Sequence, residues 1–270
     1  MASEISCAKK AGIQVFSPGL DYYVQEILSG IPFTLVRYGE GEWRTVVPSV
    51  PHKTFHGPLQ RQVFQKIWND PKTGAEEMLR AAILNHHDHE RYWAAMWHFK
   101  HLKQYHWLPT IKRWQDKKLG KDIVWHDGSI WRVAIEKGVF YPVIAALREQ
   151  RLPIVVVGPG QLTGLGNRLP IHDHILIDRW GAFYEMDMME EEMLKQPPCL
   201  FILCGAGPAK IVANKLFPEI GEQSTMIDFG ASWEGLLGHP ARRYFREMSK
   251  EKLEQNWSEV EEEEIEAEDD

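Results

Sequence analysis

One pattern between residues 122 and 230 leaves few folds open to this chain: short apolar runs, each closed by a polar or glycine-bearing turn, alternate with stretches of helical spacing. Ile154–Val157 reads Ile-Val-Val-Val and is followed by Gly158-Pro159-Gly160. Leu200–Cys204 is followed by Gly205-Ala206-Gly207-Pro208. Ile123–Trp125, Ile175–Asp178 and Thr225–Gly230 are further runs of this kind. Runs this short, apolar on consecutive rather than alternate residues, suit strands covered on both faces. Helical stretches between them are expected at Ile130–Lys137, Tyr141–Gln150 with Pro142 in its first turn, Met186–Lys195 and Ala209–Leu216. Strand and helix in alternation predict an α/β fold, a Rossmann-like, mostly parallel sheet with flanking helices. No internal sequence repeat underlies the pattern. Open sheets of this class bind ligands beyond the carboxyl ends of their strands, where these turns would gather.

The N-terminal part adds a helix over Leu20–Ser29, with Leu20, Tyr23, Val24, Ile27 and Leu28 on one face and Gly30 as its stop. Pro32 leads into the run Phe33–Val36. A loop rich in Pro and His follows over 44–58, then helices over Leu59–Asn69 and from Gly74 to about Ala82. Residues 86–118 interleave His86, His87, His89, His98, His101 and His106 with Trp93, Trp97, Trp107 and Trp114 in a basic setting. From His89 to Tyr105 the spacing of Trp93, Met96, Trp97 and Lys100 is helical, so a helical, aromatic-rich insertion is expected over about 59–120. Its tryptophans suit packing on a core, or a platform stacked on sugars or bases. A metal site at His86, His87 and His89 would lack a further ligand group at a recognisable spacing. One domain is expected over 1–245, with an acidic helical or disordered tail over 246–270.

Hydrophobic content of 44% and charged content of 26% are those of a soluble globular protein. No apolar run approaches the ~18 residues of a membrane span, and Met1–Lys10 has no apolar signal-type core. A cytoplasmic location is expected, a host's cytoplasm for a viral protein. Cys7, Cys199 and Cys204 are too few for a disulfide framework. Residues 259–270 hold nine acids and no base; taking these from the net charge of −7 leaves the rest at +2.

The stretch Phe33–Trp43 combines a strand-like run with Arg37, Gly39, Glu40, Gly41 and Glu42. Two carboxylates one residue apart can share a hard cation if the turn brings them together, and the planar fork of Arg37 suits phosphate. That set fits a metal-bridged diphosphate; a tight turn with solvated charges uses the same residues. Gly205, Gly207 and Pro208, running into Lys210, suit an anion at a helix N-terminus. Gly158, Gly160 and Gly164, with Asp178 after the next run, imitate a dinucleotide fingerprint and support an oxidoreductase or methyltransferase as an alternative. Candidate bases at run ends are His126, Asp127, Asp228 and Glu234.

Arg37-Tyr-Gly-Glu-Gly-Glu42 resembles the Arg-aromatic-Gly-Asp-Gly-Glu signature of GT-D type glycosyltransferases. Val157–Asn167 looks like that family's middle Gly-rich turn, Leu203–Ala209 like its Gly-Pro-Ala turn before a helix, and Ile227–Gly230 like its closing Asp-Ile-Gly segment. These matches span about residues 20–238. The resemblance implies a nucleotide-sugar donor, a uridine diphosphate sugar foremost, and a divalent cofactor, manganese or magnesium, at Glu40 and Glu42. It implies donor contacts at Arg37, Gly39, Gly41, Gly158, Gly160, Asn167, Gly205, Gly207 and Pro208. Asp228, Glu234 and Asp127 are the catalytic candidates. Glu40 departs from the family's Asp, and Ala231-Ser-Trp233 followed by Glu234 replaces its His-(Leu/Ile)-Asp. Residues 86–118 match no family motif, so the acceptor is open between a saccharide hydroxyl and a hydroxymethylated DNA base. A non-catalytic glycan or nucleic-acid binder using Trp93, Trp97 and Trp107 is the remaining alternative.

Overall fold

A computed structural model describes residues 11–47, 74–85, 89–96, 108–119, 123–179, 182–239 and 243–259. Its strands are β1 (Gln14–Phe16), β2 (Thr34–Tyr38), β3 (Tyr92–Met96), β4 (Val124–Asp127), β5 (Ile154–Gly158), β6 (Ile171–Leu176), β7 (Leu200–Leu203) and β8 (Thr225–Asp228). They form one sheet in the order β1-β4-β3-β2-β8-β7-β5-β6, and every pairing is parallel. The helices are α1 (Leu20–Ser29), α2 (Glu40–Val46), α3 (Ala75–Asn85), α4 (Leu108–Leu119), α5 (Ile130–Lys137), α6 (Tyr141–Glu149), α7 (Met186–Leu194), α8 (Ala206–Ile220), α9 (Ser232–Leu236), α10 (Arg243–Arg246) and α11 (Lys250–Gln255). None is long and apolar enough to cross a membrane.

The handedness of parallel crossovers decides which face each helix covers. The steps β2 to β3, β3 to β4, β6 to β7 and β7 to β8 all run one way across the sheet. Their helices α2, α3, α4, α7 and α8 therefore share one face, and residues from all five enter one core with Val36, Val155, Phe201 and Met226. The steps β1 to β2, β4 to β5 and β5 to β6 run the other way. Residues of α1, α5, α6 and the 3-10 segment Gly160–Asn167 accordingly pack on the opposite face against Leu35, Ile154, Val156, Leu200 and Ile227. Adjacent residues of each central strand feed opposite cores, which explains why Ile154–Val157 is apolar without alternation. Burying those four side chains contributes on the order of 6–12 kcal/mol before entropy is counted.

Because the two sets of connections diverge, several pairs of neighbouring strands leave the sheet toward opposite faces. Among them is β2 beside β8, followed by α2 and α9; β3 beside β4, β8 beside β7, β7 beside β5 and β5 beside β6 are the others. Such switch points open crevices at the carboxyl edge.

The all-parallel α/β sheet agrees with the expected class, and α1 and α5 carry the expected bounds. Four details differ. The helical spacing read from His89 to Tyr105 gives way, over Tyr92–Met96, to a central strand with all five residues buried; doubly covered strands lack alternation and mimic a helix stripe. Edge strand β1 is only three residues long and too short to register as a run. Strand β6 begins at Ile171 and ends at Leu176, before the expected Ile175–Asp178 is complete. Finally, the packed body passes residue 245. Asn256 is fully buried, its Oδ1 accepts from the Phe140 amide (3.1 Å) and its Nδ2 donates to Ile135 O (3.2 Å), while Trp257 donates to Leu236 O. The expected helix over Leu59–Asn69, together with His86, His87, Trp97, His98, His101, His106 and Trp107, lies outside the described residues.

Candidate functional site

The carboxyl ends of β2 and β8 carry the densest buried charge in the described chain. Arg37 lies near the end of β2, and Asp228 is the last residue of β8. Pairing of Leu35 with Ile227 sets the two ends side by side. The Arg37 amide donates to Asp228 Oδ2 at 3.0 Å, its Nη1 donates to Gly128 O at 3.3 Å, and Nη2 lies 3.7 Å from Asp228 Oδ1. Arg37 Nε is buried and has no hydrogen-bond partner among the described residues. A buried cationic donor left this way costs roughly 1–3 kcal/mol, which an incoming anion oxygen would recover.

Lys210 enters from the first turns of α8. Its Nζ donates to Ala206 O at 2.9 Å and lies 3.0 Å from Glu42 Oε1 and 3.3 Å from Asp228 Oδ2. Of its three protons one is donated to Ala206 O, and the ammonium faces the Glu42 and Asp228 carboxylates as ion pairs. Glu42 is held in turn by the start of α2. It is the third helical residue, and its Oε2 accepts from the Gly39 amide at 2.9 Å, closing a capping arrangement. Arg37, Asp228, Lys210 and Glu42 are 8%, 2%, 4% and 9% exposed, so two cations and two anions balance out of contact with bulk water. Burial works against the charge of Lys210, but Asp228 and Glu42 outweigh it and hold the ammonium above the ordinary lysine value.

The glycines shape this rim in different ways. Gly230 has φ +54°, and a Cβ there would meet Arg37 Nη2 at 2.2 Å, so only glycine lets the guanidinium lie where it does. A Cβ on Gly158 would meet Leu162 Cδ1 at 2.6 Å, and one on Gly205 would meet Ile177 Cδ1 at 2.7 Å. Both serve close packing of their own turns. Gly160 faces open space, and Asn167 ends the same 3-10 segment, exposed. Gly207 and Pro208 lie in the first turn of α8, behind Ala206, whose φ of +51° is strained for a residue with a Cβ. Gly39 precedes α2 and Gly41 lies within it.

Of the expected bases, Asp228 belongs to the charge cluster. Glu234, in α9, is 7% exposed and pairs with Arg179 Nη2 at 2.7 Å. Asp127 accepts from Ser129 N (2.8 Å), Ser129 Oγ (2.6 Å) and Ser17 Oγ (3.0 Å), holding the turn before α5. His126 stacks on Trp93 at 5.0 Å with a 10° interplanar angle, and its Nδ1 shares a hydrogen bond with Tyr23 Oη at 3.0 Å. Burial depresses its pKa to about 4, so the ring is neutral near pH 7. Trp93 is buried against Phe33 and His126, so it cannot serve as an open stacking platform.

The dinucleotide reading loses its physical basis. Gly158 and Gly160 lead into a 3-10 segment rather than into the α-helix that the fingerprint requires. Lys210, expected only as part of an anion-binding turn, instead faces two carboxylates. The available signal was a single lysine inside the otherwise apolar run Pro208–Ala213, where only a buried anion explains a cation.

The expected divalent-metal seat can be tested against its donors. Glu40 opens α2, but its side chain is outside the described residues. Both Glu42 oxygens are engaged, by Gly39 and by Lys210, and both Asp228 oxygens face Arg37 or Lys210. Among the described residues no group of three His, Cys, Asp or Glu side chains could hold a metal. Glu42 and Asp228 as arranged thus do not fit a bound divalent ion.

No protein-family model and no curated protein matches the chain. Solved structures do. One described as a new glycosyltransferase (DUF1792) from Streptococcus sanguinis aligns with TM-score 0.55 and 15% identity over 90% of this chain and 97% of its own. Another, described as domain of unknown function 1792 with a distinct glycosyltransferase fold, aligns with TM-score 0.55 and 16% identity over 93% and 98%. A selenomethionine form of the same domain gives the same values. At this identity the likeness is one of fold: the chain has the glycosyltransferase-like architecture of these structures.

Proposed function

We propose that the chain is a glycosyltransferase that moves a sugar from a nucleotide-sugar donor, a uridine diphosphate sugar foremost, to a hydroxyl acceptor. The observation that carries this reading is the buried Arg37–Asp228–Lys210–Glu42 cluster at the β2/β8 switch point, with Arg37 Nε unsatisfied. The shared fold with DUF1792 structures supports it.

Breaking the bond between the sugar's anomeric carbon and the diphosphate leaves negative charge on the departing oxygen. Arg37 is fixed by Gly128 and Asp228 before any ligand arrives, so its charge is preorganised, and its buried Nε meets the ligand oxygen once the rim opens. Glu234, kept oriented by Arg179, is the candidate to accept the acceptor hydroxyl's proton as the new carbon–oxygen bond forms. Asp228 acts by holding Arg37 and Lys210. No step is drawn through a divalent ion. A saccharide hydroxyl is favoured as acceptor over a hydroxymethylated base.

A donor-hydrolysis screen across nucleotide sugars, run with wild type and Arg37→Ala, tests this. Release of the nucleotide by wild type, reduced at least ~100-fold in the variant, is expected. Calorimetry that finds binding only to nicotinamide dinucleotides or S-adenosylmethionine refutes the reading.

A further inference from the structure

Two buried carboxylates from distant parts of the chain share one neighbour, and that neighbour is a side chain. We propose that Lys210 is a built-in counter-ion filling the seat between Glu42 and Asp228, so that no divalent ion enters there and donor binding at this rim needs none.

The distances are those of an ammonium. Nζ stands 3.0 Å from Glu42 and 3.3 Å from Asp228, hydrogen-bond separations, whereas magnesium would draw carboxylate oxygens to about 2.1 Å. One proton is held by Ala206 O, which fixes the ammonium to the frame of α8. The remaining carboxylate positions are engaged as well: Gly39 N–H on Glu42 Oε2, Arg37 N–H on Asp228 Oδ2, and the Arg37 guanidinium facing Asp228 Oδ1. A divalent ion would have to expel the ammonium, leaving a lysine that is 4% exposed with no anion to face. It would also turn a neutral buried group of four charges into one of excess positive charge. Lys210 answers both carboxylates from within the chain. Arg37, whose Nε is unsatisfied, is left to meet the ligand anion.

The division of labour is specific. Lys210 is a positioning residue: it bridges Glu42 and Asp228 and holds the two side chains in place. Arg37 does the contacting.

The first test uses metal alone and does not depend on the transfer reading. Manganese is titrated into the full-length protein and followed by electron paramagnetic resonance and thermal unfolding. Wild type is expected to show no binding sensitive to Glu42→Gln. Lys210→Ala opens the seat and is expected to bind manganese at least about tenfold more tightly than wild type, with an ion-dependent rise in melting temperature that the double variant Lys210→Ala/Glu42→Gln lacks. Manganese binding by wild type that Glu42→Gln removes overturns the proposal. So does a folded Lys210→Ala that binds no better than wild type. If Lys210→Ala does not fold, the wild-type titration with Glu42→Gln alone decides.

The second test rests on the proposed function. Uridine diphosphate binding by wild type is expected to be equal in excess chelator and in manganese, and a loss of about tenfold or more in chelator overturns the proposal. Absence of uridine diphosphate binding in both buffers counts against the transfer reading instead, while the metal titration still judges Lys210.

Discussion

Gly230→Ala is the sharpest probe of how the rim holds its arginine. The new methyl is built 2.2 Å from Arg37 Nη2, well inside contact distance, at a residue whose φ is +54°. Two penalties combine. An alanine in the left-handed region costs roughly 1–2 kcal/mol. Displacing Arg37 from Gly128 O loses a charge-assisted hydrogen bond of about 1.5–3 kcal/mol, because the guanidinium is buried and has little room to move. A loss of about 3 kcal/mol follows, or roughly 6–12 °C in melting temperature for a domain of this size. Gly166→Ala is the control: its Cβ meets open space, so a change within about 0.5 kcal/mol is expected. Differential scanning fluorimetry and urea unfolding supply the stabilities, and calorimetry with uridine diphosphate reads the site. In an Arg37→Ala background the clash is gone, and the Gly230→Ala penalty should shrink to the backbone component of about 1–2 kcal/mol. A Gly230→Ala protein that melts within about 2 °C of wild type and binds uridine diphosphate as well would refute the reasoning.

Asp228→Asn leaves Lys210 and Arg37 buried with one carboxylate between them, and urea unfolding should register a loss of about 3–5 kcal/mol. Ala206→Gly relieves the positive φ at the start of α8 and should add about 1 kcal/mol of stability by the same assay. His126, held neutral with a pKa near 4 against an ordinary 6.5, binds its proton less readily folded than unfolded. Its contribution is therefore intact above pH 6.5 and is lost as pH falls toward 4, amounting to about 3 kcal/mol at the low end. His126→Phe should flatten that part of the stability–pH curve, and an unchanged curve would contradict it. Asp127→Ala should cost about 1 kcal/mol of stability through the lost turn while leaving donor hydrolysis within about threefold.

What could be read from the chain depended on whether the signal was local. Strand β5 was legible because Ile-Val-Val-Val between Pro153 and Gly158 permits little else, and α1 because its apolar stripe ends on Gly30, whose φ of +67° is the left-handed stop expected of glycine. Strand β3 was not, because Tyr-Trp-Ala-Ala-Met is buried on both sides and its neighbours extend the spacing into a false helix stripe. The site shows the same division. Arg37 and the Gly39–Glu42 turn announce themselves within six residues. The partnership of Arg37 with Asp228 spans 191 positions and has no sequence signal short of the topology itself. For the same reason the contact of Glu42 with Lys210 has no local signal: the lysine stands on a distant helix.

Strand β8 is the sheet's keystone. Strands β1 to β4 form one half and β5 to β7 the other, and among the described residues β8, the last of these strands in chain order, is the one that joins them. A nascent chain halted before Thr225 would present two unfinished half-sheets, with β2 and β7 as open edges able to recruit other chains. Because Asp228 travels on that strand, the ribosome delivers architectural closure and the last charge of the Arg37–Lys210–Glu42 cluster together, and a partly made molecule possesses neither.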